Sequence, residues 1–414
     1  MSRTTAPAAA ADPPVLRAAG LATYLAFIGL GFGFASWASR IPQVRDQLTL
    51  SPSQLGFVLL AIAAGSLISL PLSGPLVSRY GSRRTVAATG VLMAVALVGV
   101  GLGYRSGVVP LVAGLFVFGF AQGAWDVGMN VQGAIVERRL GRAIMPRFHA
   151  GFSIGTVVGA LGGAAMVALK IPVSVHLVVV ALVIAVAVPF GVRPFVPDVD
   201  PAAELADDGA APRHPLAAWR EPRTLLVGLF TLAFAFAEGT GNDWTSIALI
   251  DGYQTSATVG TLGFASFLAA MTAGRWFGPG LLDQYGRVPV VRAMAVLSVL
   301  GLLVFVFGGS TPLAFLGAVA WGLGLSLGFP VGMSAGADEP EMAAARVSVV
   351  ASIGYCAFLG GPPLIGFLGE SYTVLRALTA VAVLLAVSIM IAGVVRPIGP
   401  GAGSGSAGEE RSQR

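Results

Sequence analysis

Few side chains in this sequence could do chemistry, and they stand out because their surroundings are apolar. Gln122, Asp126 and Asn130 follow one another at a spacing of four, which places all three on one helix face. Glu238 and Asn242 repeat that spacing in the second half of the chain. The apolar runs beside both acids are too short to cross a bilayer alone, so each acid must lie within a helix. At 1.5 Å per residue Asp126 is about 24 Å, and Glu238 about 21 Å, from one end of its helix. A carboxyl group at that depth is costly unless it faces a cavity, where it can carry a proton or counter a cation. The alternative is a structural acid, hydrogen-bonded to neighbouring helices. Arg275 either extends its guanidinium to the interface or pairs with a gate acid. His149 is interfacial, or takes part in proton transfer through its near-neutral ordinary pKa.

Other chemistries find little support. Gly151-Phe-Ser153-Ile-Gly155 matches G-x-S-x-G, but a nucleophile elbow needs a strand-to-helix turn. Here the motif opens an apolar helix that continues to Gly159 and Gly163, a close-packing pattern. No phosphate-binding loop, metal-ligand cluster or heme motif is present, so no cofactor or metal is expected and an ion gradient is the expected energy source. An intramembrane enzyme or a non-transporting sensor is the rival of another class; no span-embedded nucleophile and base stand together. Cys356 is the single cysteine and excludes an intrachain disulfide.

The elements that must position the acids are membrane helices. Hydrophobic residues make up 55% and charged residues 11% of the 414 positions, against about 25% charged in a typical soluble domain. Apolar blocks near 18–38, 54–77, 86–103, 110–136, 149–169 and 173–192, then 224–248, 258–282, 288–308, 311–335, 344–368 and 373–395 give twelve spans, since about 20 residues cross the hydrocarbon core. The first block is too long for a signal-peptide core and is expected to be retained. The net charge of +5 reflects basic residues in the loops, so orientation and not nucleic acid explains it. With the N-terminus inside, 20 Lys and Arg are inside and five are outside (Arg40, Arg45, Arg105, Lys170 and Arg376), which predicts both termini in the cytoplasm. Residues 1–17 and 397–414 read as disordered cytoplasmic tails. Residues 193–223, acidic and proline-bearing, read as a cytoplasmic linker between six-helix halves at 18–192 and 224–396.

The halves repeat one another. Ser78-Arg-Tyr-Gly81 corresponds to Asp283-Gln-Tyr-Gly286, Asp126-Val-Gly-Met-Asn130 to Pro330-Val-Gly-Met-Ser334, and Arg147 with Ser153-Ile-Gly155 to Arg346 with Ser352-Ile-Gly354. Trp37 and Trp244 make a fourth pair. Parallel repeats of six spans, with substrate held near the midplane between them, point to an all-α polytopic fold of twelve transmembrane helices. The loop Gly74-Pro-Leu-Val-Ser78-Arg79-Tyr-Gly81-Ser-Arg83-Arg84 resembles the signature of the major facilitator superfamily, with Ser78 where that signature has Asp. The second copy keeps Asp283 but has Gln284 in place of Arg. The resemblance implies that Gly74, Ser78, Arg79, Gly81, Arg83, Arg84, Arg275 and Asp283 form a cytoplasmic gate.

Asp126-x-x-x-Asn130 followed by Arg147-Phe-His-Ala-Gly-Phe-Ser-Ile-Gly155 is similar to the fucose-permease branch, although no acid stands near the outer end of span 1. Glu238-Gly-Thr-Gly-Asn-Asp243-Trp244 also resembles an uncharacterised bacterial inner-membrane branch. The fucose-permease likeness implies a proton-coupling role for Asp126, and Glu238 joins it as a candidate by depth. Trp37, Gln122, Asn130, Asn242 and Trp321 are candidates for the substrate cavity; Trp37 and Trp244 could instead anchor at the interface. Aromatic faces beside amides and carboxylates suit a sugar-like or other small polar metabolite, and two acids suit an organic cation, leaving drug efflux as the alternative. The expected protein is a monomeric bacterial inner-membrane transporter in contact with lipid, its substrate and protons.

Overall fold

The computed structural model describes residues 13–141, 144–198, 215–339 and 342–398, and its regular elements are all helical. Residues 1–12, 199–214 and 399–414, which hold most of the expected tails and the middle of the linker, lie outside the described residues. In chain order the helices are α1 (Pro13–Ala38), α2 (Ile41–Leu48), α3 (Pro52–Tyr80), α4 (Ser82–Gly103), α5 (Val108–Leu140), α6 (Met145–Ala168) and α7 (Val173–Gly191). After a 3-10 turn at Pro215–Arg220 come α8 (Pro222–Tyr253), α9 (Ala257–Tyr285), α10 (Arg287–Phe307), α11 (Thr311–Leu325), α12 (Gly328–Gly336), α13 (Ala343–Ser371), α14 (Val374–Ala377) and α15 (Thr379–Ile391). They make twelve membrane spans. Both ends of the described chain lie on one face, where Arg223 at the start of α8 donates to the carbonyl of Arg396 at 3.1 Å. We call this the terminal face.

Three local features depart from the expected blocks, each for a residue-level reason. The first helix starts at Pro13, inside the segment expected to be disordered, because proline is tolerated in a first helical turn. The loop after it is not irregular: α2 forms there, with Pro42 in its first turn and Thr49 closing it in the left-handed conformation at φ 51°. The tenth span breaks between α11 and α12. Pro330 has no N–H to donate to the carbonyl of Ser326 four residues back, so the ladder is interrupted where the equivalent span α5 runs unbroken.

The repeat seen in the sequence recurs in the backbone. α3 and α9 both start at a serine N-cap, where Ser51 accepts from the amide of Gln54 and Ser256 from that of Val259. Both end at a glycine with positive φ, Gly81 at 81° and Gly286 at 79°, a conformation that an L side chain resists. Within the first six spans α1 packs on α6, α3 on α5, and α4 on α5 and α7. Within the last six α8 packs on α13, α9 on α11, and α10 on α11 and α15, the same pairings shifted by six spans. The two sets meet through α3 against α13 and α6 against α9, contacts that exchange with one another when the halves are interchanged.

Glycine makes these crossings possible. A Cβ on Gly155 of α6 would lie 2.1 Å from the carbonyl oxygen of Ile28, and one on Gly31 of α1 would lie 2.1 Å from that of Phe152. The stretch that mimics a hydrolase motif is therefore a helix-packing face. Gly155→Leu is expected to separate α1 from α6 and to cost at least the ~1–3 kcal/mol of ordinary overpacking. Gly162→Leu, which points into open space, should leave the thermal unfolding of the purified protein unchanged. Equal transitions for the two variants would refute this packing account.

Candidate functional site

The acid of α5 lies deep in its helix, about 27 Å from the Val108 end by helix rise, and is half-buried with Gln122 and Asn130. The spacing of four does what the sequence implies. Asn130 donates from Nδ2 both to the carbonyl of Asp126 at 2.8 Å and to its carboxylate Oδ1 at 3.2 Å. No cation pairs with Asp126 among the described residues. Across from it, in the other half, Tyr355 of α13 comes within electrostatic reach. Sequence could not supply that neighbour, because the contact crosses between the two repeats and no spacing within either copy encodes it.

Glu238 is in a different situation. Both of its carboxylate oxygens accept from Nη2 of Arg275, at 2.9 and 2.8 Å. Arg275 therefore does not snorkel to the interface and, in this conformation, pairs with Glu238 and not with an acid of the terminal face. It is drawn inward because an unpaired carboxylate on the neighbouring helix is the stronger attraction in a poorly solvated space. The arginine also reaches the first half, with Nη1 at 3.4 Å from Ser153 Oγ, while Thr272 Oγ1 donates to the Ser153 carbonyl at 3.3 Å. His149, one turn before Ser153, is exposed, lies within electrostatic reach of Arg275 and meets the ring of Phe27 edge-on at 5.0 Å. Spans five, seven and eight thus share one polar network.

Gln122 Oε1 and Asn242 Oδ1 are enclosed and have no hydrogen-bond partner. Asp243, which the sequence presented only as part of a motif, sits beside Asn242 and is also half-buried. The tryptophans behave otherwise. Trp37 is 2% exposed and Trp321 0% exposed, so neither lines an open space in this conformation, and Trp244 is buried too and not at an interface. Trp321 packs between Phe267 and Phe305, at centroid distances of 4.9 and 5.9 Å. A large ring at a crossing of three helices fills core volume.

The halves close on the face opposite the termini. Arg45 of α2 forks onto Asp251 at the end of α8, with Nη2 to Oδ1 at 3.0 Å and Nη1 to Oδ2. Glu370 of α13 accepts from Ser51 Oγ at 3.1 Å and from the amide of Ser53 at 3.2 Å. Close by, a Cβ on Gly56 would lie 2.5 Å from the carbonyl oxygen of Pro362, and one on Gly366 would lie 2.4 Å from that of Pro52. At the terminal face, every hydrogen bond between described residues stays within one half. Ser78, Arg79, Arg83, Arg84 and Asp283 are exposed there, Gly74 meets nothing within 4 Å, and Gly81 is the positive-φ turn into α4. None of these joins the halves in this conformation. The missing signature aspartate has a substitute: Asp198 receives the Ser82 hydroxyl at 2.6 Å and also its backbone amide, at the start of α4. In the second half Arg287 donates to Asp338 at 2.7 Å and to Ser334 at 2.8 Å, not to Asp283.

The Glu238 and Arg275 pair should behave as a strongly coupled unit. Glu238→Gln or Arg275→Gln alone leaves one half-buried charge unanswered and is expected to destabilise by less than the about 3–5 kcal/mol of a fully buried pair. The double substitution should cost clearly less than the sum of the two. Additive effects in a thermal-unfolding double-mutant cycle would show that the pair contributes little.

Comparison with known proteins places this architecture. The family model described as Major Facilitator Superfamily matches residues 21–242. The chain is 32% identical over 379 residues to the uncharacterised transporter y4wD of Sinorhizobium fredii, covering 89% of this chain and 96% of that one. It is 30% identical to an uncharacterised MFS-type transporter of Yersinia pestis, covering 88% and 92%. It is 28% identical to the membrane protein MosC of Rhizobium meliloti, covering 87% and 86%. Among solved structures, the fold resembles a bacterial homologue of the human lysosomal transporter Spinster in an inward-facing, unoccupied conformation, with a TM-score of 0.73 at 13% identity over 94% of this chain and 100% of that one. It also resembles the nucleoside transporter NupG, with a TM-score of 0.68 at 15% identity over 92% and 98%. The multi-span fold, the paired six-helix packing and these relatives together lead to one assignment: the chain belongs to the major facilitator superfamily, a family of secondary transporters and not of enzymes.

Proposed function

We propose that this transporter takes up a sugar-like or other small polar metabolite together with protons, by alternating access in a bacterial inner membrane. The observation that carries the reading is Asp126, a carboxyl deep in a membrane helix whose hydrogen-bonding partner is a single amide. Such a group needs a proton while its surroundings are closed, and can release it when the cavity opens to water. The acid-x-x-x-Asn pattern of α5 supports a kinship in coupling chemistry with the fucose-permease branch. Enclosed, unpartnered amide oxygens on Gln122 and Asn242 support a polar solute, because a ligand that donates hydrogen bonds recovers what these groups otherwise lose.

The charge asymmetry of the loops places the terminal face in the cytoplasm. On that reading the conformation described here is inward-facing, with Arg45 and Asp251, and Glu370 and its serines, closing the outer side. The gate residues of the signature loops, with Asp283, meet when the protein turns outward. Glu238, the second candidate by depth, is already paired with Arg275, so a proton on it would have to compete with that arginine and free it from α8. The transporter acts as a monomer, since both halves of the cavity come from one chain.

A substrate is best found by thermal stabilisation of the purified protein with a panel of neutral sugars and nucleosides set against organic cations, because a ligand that binds the folded state raises its apparent stability. Stabilisation confined to cations would favour the alternative, efflux of organic cations or drugs. With the substrate in hand, Asp126→Asn in proteoliposomes should lose at least about ten-fold of the uptake driven by a pH gradient, the equivalent of ~1.4 kcal/mol of coupling, and retain substrate exchange. Unchanged driven uptake would remove Asp126 from the coupling mechanism.

A further inference from the structure

The seventh span carries a polar group that the reading above leaves without a task. Asp243 follows Asn242 in α8, is half-buried, and among the described residues accepts no hydrogen bond and meets no cation. Five residues earlier Glu238 has both oxygens held by Arg275. Guanidinium keeps its positive charge throughout the physiological range, so the charge of Glu238 is already answered within the protein. Among the described residues the charge of Asp243 is answered by nothing. The elements packed against α8 offer it no partner: Arg45 of α2 is taken by Asp251 and Asp46, and Arg275 of α9 by Glu238. Arg346 and Glu370, near the two ends of α13, are held by Glu221 and by Ser51 and Ser53, while the Cys356 thiol of the same helix donates to the Ser352 carbonyl. Tyr355 lies within electrostatic reach of Asp126. Arg376 of α14 and Asp283 and Tyr285 of α9 are exposed near the ends of their helices, and α11, α12 and α15 contain no ionisable residue.

We propose that Asp243, and not Glu238, is the second proton-carrying carboxyl of the transport cycle. Helix rise puts Asp243 about 15 Å from the Tyr253 end of α8 and Asp126 about 27 Å from the Val108 end of α5. Both of those ends are at the face closed by Arg45 and Asp251. The two unanswered carboxyls thus lie at different depths, one on each half, with Asp243 the nearer to the closed face. A rocking motion that opens that face wets Asp243 before Asp126, and opening the terminal face reverses the order. Glu238 and Arg275 then serve as a bridge between α8 and α9 that also reaches Ser153 of α6, holding the halves in register while the unpaired acids change charge. This inference rests on the proton-coupled reading of the transporter.

Infrared difference spectroscopy of the full-length protein in liposomes tests it with the proton as the probe. The C=O stretch of protonated carboxyl groups is recorded while the pH is stepped from alkaline to acidic. Asp126→Asn should delete one component of that band, Asp243→Asn a second, and Glu238→Gln neither. Asp243→Glu, which keeps a carboxyl group in place, should shift the second component without removing it, and covers the case in which Asp243→Asn fails to fold. Exchange of choline chloride for sodium chloride should leave the component in place; its loss in sodium would make the site a sodium site and overturn the proposal. So would an Asp243→Asn spectrum identical to wild type, or loss of the second component in Glu238→Gln. If Asp126→Asn leaves the band whole while Asp243→Asn reduces it, the role of Asp126 fails and that of Asp243 stands. A wild-type protein with no such band removes both.

Discussion

Two membrane helices can bring their backbones together only where one of them presents no side chain, and this constraint decides where every polar group in the protein can go. Lipid tails offer no hydrophobic gain for helix association, so close approach and dispersion contacts hold the bundle. The glycines of α6 let α1 lie against it, and a Cβ on Gly65 of α3 would lie 2.0 Å from the carbonyl of Phe116 in α5. The same device recurs between the halves, where Gly56 and Gly366 bring α3 and α13 into backbone contact beside Pro362 and Pro52. The half-buried acids and amides and Arg275 lie within these membrane-spanning helices.

These polar groups divide by whether the protein answers their charge. Glu238 is matched bidentately by a residue one helix away, a pair whose breakage leaves a charge uncompensated. Among the described residues Asp126 is matched only by the amide of Asn130, and Asp243 by nothing. Paired charges make rigid joints, and unpaired ones respond to a proton or a ligand. On the proposed reading the distribution is a division of labour along α8 itself: a joint at Glu238 and a responsive site a little more than one turn beyond it.

The number of spans, their pairing into repeated sets and the depth of Asp126 and Glu238 were legible in the sequence, because hydropathy and the short apolar runs beside the acids encode them directly. The spacing of Asp126 and Asn130 likewise encodes their hydrogen bond, a contact within one helix. The partner of Glu238 was not legible. Arg275 is 37 residues away on the next helix, and its rotamer is chosen by the carboxylate it meets, not by its distance from the interface. Trp37 and Trp244 near span ends carry the composition of interfacial anchors, yet both close into the protein, since a ring at a helix crossing gains more from filling volume. Tyr355 and the Arg45 bridge to Asp251 cross between the halves, where no periodicity within one copy can point.

The divergence of the two copies follows from the same logic. A duplicated bundle begins with identical charges at symmetric places, and identical acids facing each other across one cavity repel. Where α5 has Asp126, the tenth span has Pro330, which removes the second acid and breaks the helix into α11 and α12. Where the first signature loop has lost its acid at Ser78, Asp198 beyond α7 reaches back to the start of α4 and supplies one. Where Arg147 is exposed, its counterpart Arg346 is held by Glu221 and Glu339. Among the described residues, the ion pairs around the terminal face thereby belong to the second half, and the described arginines of the first half at that face are exposed.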